Sequence, residues 1–195
     1  MSLDAHSFAH GEITKLRQAL DRLDRDPYPG LLSDVSGAVL KSLEGGGKVM
    51  FCGNGGSAAD AQHLAAELVG RQNFDRPAAA GLALTVDTSA LTAVGNDYGY
   101  QEVFSRQVEG VGRPNDVLFA ISTSGRSPNV VRALAAAKAA GITTVALTGR
   151  DSREMACADH VVAVPAGETP KIQELHIVCG HIIFALVEQA RFGSA

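Results

Sequence analysis

The segment Lys48-Val49-Met50-Phe51-Cys52-Gly53-Asn54-Gly55-Gly56-Ser57-Ala58-Ala59-Asp60 decides how this chain folds. Lys48 to Cys52 is strand-sized and nearly all apolar, which suits a strand buried on both faces. The alanine-rich stretch from Ala58 to Gly70 reads as a helix. Between them, Asn54-Gly55-Gly56-Ser57 supplies glycines where backbone amides must approach a neighbour closely. The first amides of a helix have no intrahelical partner, so a loop that ends a strand and opens a helix is an anion site. The alternative is structural: a tight turn that needs glycine for its dihedrals, with Ser57 as the N-cap.

Working outward, the same pattern recurs. Strand-sized apolar runs lie at Gly81 to Thr85, Asp116 to Ile121, Thr143 to Thr148 and His160 to Val164, with further helical stretches at Asn129 to Ala140 and roughly Ile172 to Arg191. Strand-helix alternation predicts a parallel β-sheet with right-handed crossovers and helices on both faces, and ligands beyond the carboxyl ends of the strands. Ahead of the first strand, Ile13, Leu16, Leu20 and Leu23, then Leu31, Leu32, Val35, Val39 and Leu43, follow a helical period. Residues 7–44 are therefore expected to form two helices broken at Pro27-Tyr28-Pro29-Gly30. The expectation is one α/β domain over 1–195, a length that buries roughly 70% of the unfolded surface.

Composition removes several function classes. Seventeen basic against twenty-one acidic residues give a net charge of −4, and no Lys/Arg run makes the electrostatic footprint of nucleic-acid binding. With 5% aromatics and no Trp, a base-stacking platform is not expected either. Eighteen apolar residues never run uninterrupted, so no membrane span is expected. Cys52, Cys157 and Cys179 form no CxxC pair, and MSLDAHSFAHGE lacks the apolar stretch of a signal peptide. Reduced thiols and a cytoplasmic location are the expectation.

A second loop has the logic of the first. Ile121-Ser122-Thr123-Ser124-Gly125-Arg126-Ser127-Pro128 also ends a strand and precedes a helix, with Pro128 suited to the first helical position. Hydroxyls and amides together can satisfy the oxygens of a phosphate monoester without much fixed positive charge. Neither loop is a Walker or dinucleotide fingerprint. On the helix after the first loop, His63 and Glu67 stand four residues apart on one face, a spacing compatible with metal ligation, with acid/base work or with a solvated surface pair. Near the C-terminus, Gln173, His176 and His181 interrupt an apolar helix, and either histidine can be a hydrogen-bonded core residue. Asn96-Asp97-Tyr98-Gly99 is turn chemistry on its face, although Asn96 and Asp97 also suit sugar hydroxyls.

Taken together, CGNGGSAADAQHLAAEL, LTAVGNDYGY, FAISTSGRSPN and TPKIQELHIVCGHIIFALVE resemble the bacterial phosphoheptose isomerases, a branch of the sugar isomerase (SIS) domain family, from about Leu31 to the end. The resemblance implies an aldose-ketose isomerase that interconverts sedoheptulose 7-phosphate and the corresponding manno-heptose 7-phosphate in heptose biosynthesis. It also implies one zinc ion per active site and a homotetramer with sites at subunit interfaces. Carried over by motif, Asn54, Gly55, Gly56 and Ser57 contact substrate, Asn96 and Asp97 hold sugar hydroxyls, and Ser122, Thr123, Ser124 and Ser127 cradle the phosphate. His63, Glu67, Gln173 and His181 correspond to the metal and catalytic positions, with Glu67 and Gln173 also touching substrate, Glu67 as the base and His181 as its acid partner.

Two points test this picture. In one ideal helix Gln173 and His181 stand about 12 Å apart along the axis, so either their side chains converge, the helix begins after Gln173, or different subunits supply them. Glu168 stands where relatives often have Asp before Thr-Pro, which bears on a neighbouring loop contact. The rival function is a non-catalytic protein-binding module of the replication-initiator-associating type. That branch has an altered GNGGS segment and lacks the late histidine, whereas Gly55-Gly56-Ser57, Glu67 and His181 are all present here. A sugar-phosphate-sensing regulator is disfavoured because no helix-turn-helix segment accompanies the chain. An isomerase of another phosphosugar stays open, because phosphate loops say little about chain length or stereochemistry.

Overall fold

A computed structural model of the protein describes residues 4–193. The first strand, β1 (Val49–Gly53), joins β2 (Gly81–Ala83), β3 (Val117–Ser122), β4 (Thr143–Thr148) and β5 (His160–Ala163) in one parallel sheet of order β2-β1-β3-β4-β5. Every residue of β1 and β3 is buried, which is why their sequences read as unbroken apolar runs. The edge strands β2 and β5 are only partly covered. From β1 the chain goes to one side for β2 and returns to the other for β3, so the winding reverses there and opens a crevice at the carboxyl ends of β1 and β3.

Four helices, α1 (Ala5–Leu23), α2 (Tyr28–Glu44), α3 (Gly56–Val69) and α7 (Thr169–Phe192), belong to the core on one face of the sheet. Phe51 stacks on Phe119 at 5.2 Å between ring centres, and Phe184 of α7 closes on both at 5.6 and 5.5 Å. Such pairs contribute about 0.5–1.5 kcal/mol beyond their burial. On the other face, Met50, Cys52, Leu118, Ala120 and Ala146 pack with α5 (Ser105–Val111), α6 (Pro128–Ala139) and the half-buried Leu91 and Val94 of α4 (Thr88–Tyr98). Helix α7 is long and apolar enough to cross a membrane by length and composition alone. One of its faces is instead spent on the core, through Leu175, Cys179, Ile183 and Val187.

Several expectations are corrected. The N-terminal helical region starts at Ala5, and Tyr28-Pro29-Gly30 is not a break but the first turn of α2, where proline lacks only an amide that has no helical partner. Strand β2 stops at Ala83, with the Leu84 amide adding one further bond to Phe51. Helix α4, which was not foreseen, is capped by the Asp87 side chain at 2.9 Å and buries no residue fully, so its apolar pattern is faint. Asn96 to Tyr98 is accordingly its last turn, and the bend falls on Gly99 with φ 93°. Helix α7 begins at Thr169, so Gln173 and His181 share it, and the alternative of a later start is excluded. Glu168 makes no side-chain cap on that helix; its carboxylate reaches Lys15 at 3.1 Å.

Candidate active site

Helix α3 takes its first residue from Gly56 and its cap from Gly55, at φ 58°, so Ser57 is not the N-cap. Ser57 lies in the first turn, 3% exposed. A Cβ on Gly56 would run into the side-chain amide of Gln173, which therefore reaches from α7 across the start of α3. Asn54 exchanges hydrogen bonds with Asn129: each amide donates to the other's carbonyl, at 2.9 and 2.8 Å. The Tyr100 hydroxyl donates to the same Asn54 oxygen at 3.3 Å. Sequence reasoning missed Asn129 and Tyr100 as site residues, although Asn129 closes the FAISTSGRSPN motif and is an amide buried beside a helix start.

Two turns along α3, the side chains of His63 and Glu67 meet His181 of α7. The Nε2 atoms of the histidines are 3.0 Å apart, and each is 3.4 Å from Glu67 Oε1. Glu67 Oε2 is buried with no hydrogen-bond partner. Two imidazole nitrogens facing each other at hydrogen-bond distance cannot both carry protons on that line, so one donates to the other or both serve as ligands. Two nitrogens, one carboxylate oxygen and a second, unpartnered carboxylate oxygen are a donor set that fits zinc. Gln173 stands at the opposite end of the crevice wall, against Gly56, about 12 Å back along the α7 axis. The structure thus brings three of the four expected ligands together and leaves Gln173 at the loop.

Burial sets the charge states around this cluster. Asp60, one turn before His63, has its carboxyl pushed up to about 6 by burial, against the pull of the His63 charge. His176 is the core histidine: it is 1% exposed, neither ring nitrogen has a hydrogen-bond partner, and burial pushes it down to about 4.

In the second loop, Ser122 Oγ lies 3.0 Å from Ser127 Oγ and 3.5 Å from Ser124 Oγ, while the Arg126 amide donates to Ser124 at 3.2 Å. Ser127 is the N-cap residue of α6 but makes no side-chain cap bond, so its hydroxyl stays with the loop. Gly125 has φ 65°, and a side chain there would strike the Asp151 carbonyl. Thr123 and Ser124 line a cavity of about 340 Å³ with Arg126, Arg150 and Thr169. The expectation of little fixed positive charge is therefore amended by two guanidinium groups, partly balanced by the Asp151 carboxylate on the same cavity. Asn96 and Asp97 are exposed at the end of α4, bonded to each other at 2.8 Å, and the chain from them leads directly to Tyr100 and so to Asn54.

A parallel sheet with glycine- and serine-rich loops after β1 and β3, and a His63–Glu67–His181 cluster between α3 and α7, can be compared with known proteins. The SIS domain model matches residues 15–149. A phosphoheptose isomerase of Akkermansia muciniphila is 58% identical over 165 residues, which span 84% of this chain and 87% of that protein. The structure of phosphoheptose isomerase GmhA from Neisseria gonorrhoeae superposes with a TM-score of 0.84 at 41% identity, over 96% of this chain and all of that one. A Francisella tularensis phosphoheptose isomerase superposes with a TM-score of 0.91 at 31% identity over the same shares. A likeness of this identity across most of the chain shows that it belongs to the phosphoheptose isomerases of the SIS domain family.

Proposed function

We propose that this chain, as a single domain over 1–195, interconverts D-sedoheptulose 7-phosphate and D-glycero-D-manno-heptose 7-phosphate, an aldose-ketose isomerisation in heptose biosynthesis. The observation that carries the reading is the convergence of Glu67 and His181 from two helices, 3.4 Å apart, in a chain that also holds a cluster of hydroxyls at Ser122 and Ser127 after β3. The loop after β3 holds the phosphate through the hydroxyls of Ser122, Thr123, Ser124 and Ser127. Asn54 to Ser57, with Asn96 and Asp97, hold the sugar hydroxyls, and Gln173 reaches the same face.

From the ketose, Glu67 takes the proton on C1 while His181 gives one to the C2 carbonyl oxygen, which leaves an enediol. Glu67 then returns its proton to C2, and His181 accepts the proton of the C1 hydroxyl, which leaves the aldehyde. Positioned acid/base groups of this kind contribute about 10²–10⁴-fold. His63, Glu67 and His181 would hold zinc, whose positive charge polarises the substrate oxygens when bound.

A homotetramer with sites at subunit interfaces is supported by an apolar groove of about 510 Å³ between α1, α2 and α7, lined by Leu20, Leu32, Val178, Ile182 and Leu186. Ile182 and Leu186 are 40% and 44% exposed in the single chain. Unpaired Cys52, Cys157 and Cys179 accord with the cytoplasm, and the net charge of −4 accords with a small ligand rather than nucleic acid.

The test is turnover of sedoheptulose 7-phosphate by purified protein, with and without a chelator, following the aldose by NMR. Activity that falls on chelation and returns with zinc is expected. Folded, zinc-loaded protein that produces no aldose would turn the reading to another phosphosugar or to the binding module.

A further inference from the structure

Behind the acid/base pair lies a buried ion pair that the chemistry above does not use. The side chains of Arg76, in the segment between α3 and β2, and Glu188, near the end of α7, are 4% and 2% exposed, with Nε and Oε1 3.1 Å apart. Glu188 also accepts the backbone amides of Gln72 at 2.9 Å and Asn73 at 2.8 Å, so both its oxygens are engaged. Burial pushes its carboxyl up, and those amides with Arg76 more than offset the push, so the carboxyl stays below its ordinary range. The rest of the guanidinium ends on the last turn of α3: Nη2 donates to the Glu67 carbonyl at 2.6 Å and Nη1 to the Leu68 carbonyl at 2.7 Å. Gln72 Nε2 donates to the His181 carbonyl at 3.0 Å. One network therefore terminates on the main chain of both Glu67 and His181.

A buried ion pair is a poor way to gain stability, since well-packed apolar side chains often do as well or better. What it supplies is direction, because a guanidinium fork and a carboxylate hold their partners at set angles. Among the described residues the reacting side chains bond only to one another, the histidines at 3.0 Å and each to Glu67 Oε1 at 3.4 Å, while Glu67 Oε2 has no partner. Their convergence depends on where α3 and α7 put their main chains.

We infer that Arg76 and Glu188, with Gln72, are positioning residues that clamp the end of α3 to α7 at the spacing the Glu67–His181 pair requires. The inference rests on the isomerase reading only for the identity of that pair. A misplacement of about 1 Å at a reacting group can cost about a hundredfold in rate.

Arg76→Lys and Glu188→Gln keep the size and polarity of the site while loosening the fork. Each is expected to lower kcat on sedoheptulose 7-phosphate at least about tenfold with KM little changed, the pattern of a lost transition-state interaction. Each is also expected to weaken zinc binding about 10–100-fold, as outer partners of ligands do, measured on metal-free protein by competition with a chromophoric chelator. Val108→Ala, in the core of the opposite face, is the control: it lowers the unfolding midpoint and leaves kcat and zinc affinity alone. Clamp variants that, like this control, lose only unfolding midpoint and keep kcat and zinc affinity would overturn the proposal. If both variants fail to fold, Gln72→Ala, which removes only the bond to the His181 carbonyl, decides by the same kinetics. If the unmodified protein does not turn the heptose phosphate over, the isomerase reading fails separately. The clamp is then read from crystal structures of Gln72→Ala and the parent, where an unchanged Glu67–His181 Cα separation overturns it and a widening of about 1 Å sustains it.

Discussion

The loop after β1 and the loop after β3 leave neighbouring parallel strands and open helices on opposite faces of the sheet, yet their side chains are disposed differently. In the first, Gly56 is pressed against Gln173, Ser57 is buried, and Asn54 is locked to Asn129. In the second, Ser122 is equally buried and bonds to Ser124 and Ser127, while Thr123 and the exposed Ser124 line a cavity with Arg126, Arg150 and Asp151. Topology gives both loops the same address, beyond the carboxyl ends of the strands. Packing sets them apart: the first is tied into α3 and α7, and in the proposed reading the second supplies the phosphate hydroxyls.

Three measurements would break or sharpen that division. The largest effect is expected from Glu67→Gln, on the helix that the first loop opens. The amide cannot take the C1 proton, so kcat should fall by about 10²–10⁴-fold, while the oligomer and phosphate binding persist. Near-normal turnover would remove Glu67 as the base.

Next comes acid stability, which probes the helix backing both loops. The His176 imidazole is held down to about 4 in the fold, below the ordinary value of 6.5. The unfolded chain therefore binds the proton first. The contribution of this group is fully present above pH 6.5 and is lost as the pH falls towards 4, in total about 3 kcal/mol at roughly 1.4 kcal/mol per pKa unit. Chemical denaturation at several pH values should show that slope in the parent and a shallower one in His176→Leu. Equal slopes would deny the buried neutral state.

The smallest effect belongs to the second loop. Ser127→Ala deletes one hydroxyl of the cradle and should raise KM by roughly three- to tenfold, about 0.5–1.5 kcal/mol for one hydrogen bond, with kcat nearly unchanged. A fall in kcat with KM unaltered would instead tie the second loop to the chemical step.

Much of the fold was legible because its cues are local. β1, β3 and β4 read as apolar runs since they are covered on both faces, and glycine-rich or serine-rich turns follow β1 and β3. α4 was not legible, because a helix with no fully buried residue has almost no stripe to read. Asn96 and Asp97 looked like a turn for the same reason: Asn, Asp and Gly favour bends, and only the cap at Asp87 and the contact of Tyr100 with Asn54 show the helix ahead of them. The site residues emerged from motif resemblance, whereas His63 with Glu67 alone also fitted a surface pair. Asn129 and Arg76 escaped, since an amide and a guanidinium announce nothing until their partners are known.

The sequence by itself determined the parallel sheet, the helices on its two faces and the glycine- and serine-rich loops after β1 and β3, because alternating apolar runs and glycine turns act over a few residues. Only the tertiary structure decided that His63 and His181, separated by 118 residues, face each other at 3.0 Å, and that Gln173 turns to Gly56 instead. The reason is that these meetings depend on how α3 and α7 pack, and that packing is set by the phenylalanine core beneath them and the buried Arg76–Glu188 network behind, whose contacts no short window of sequence contains.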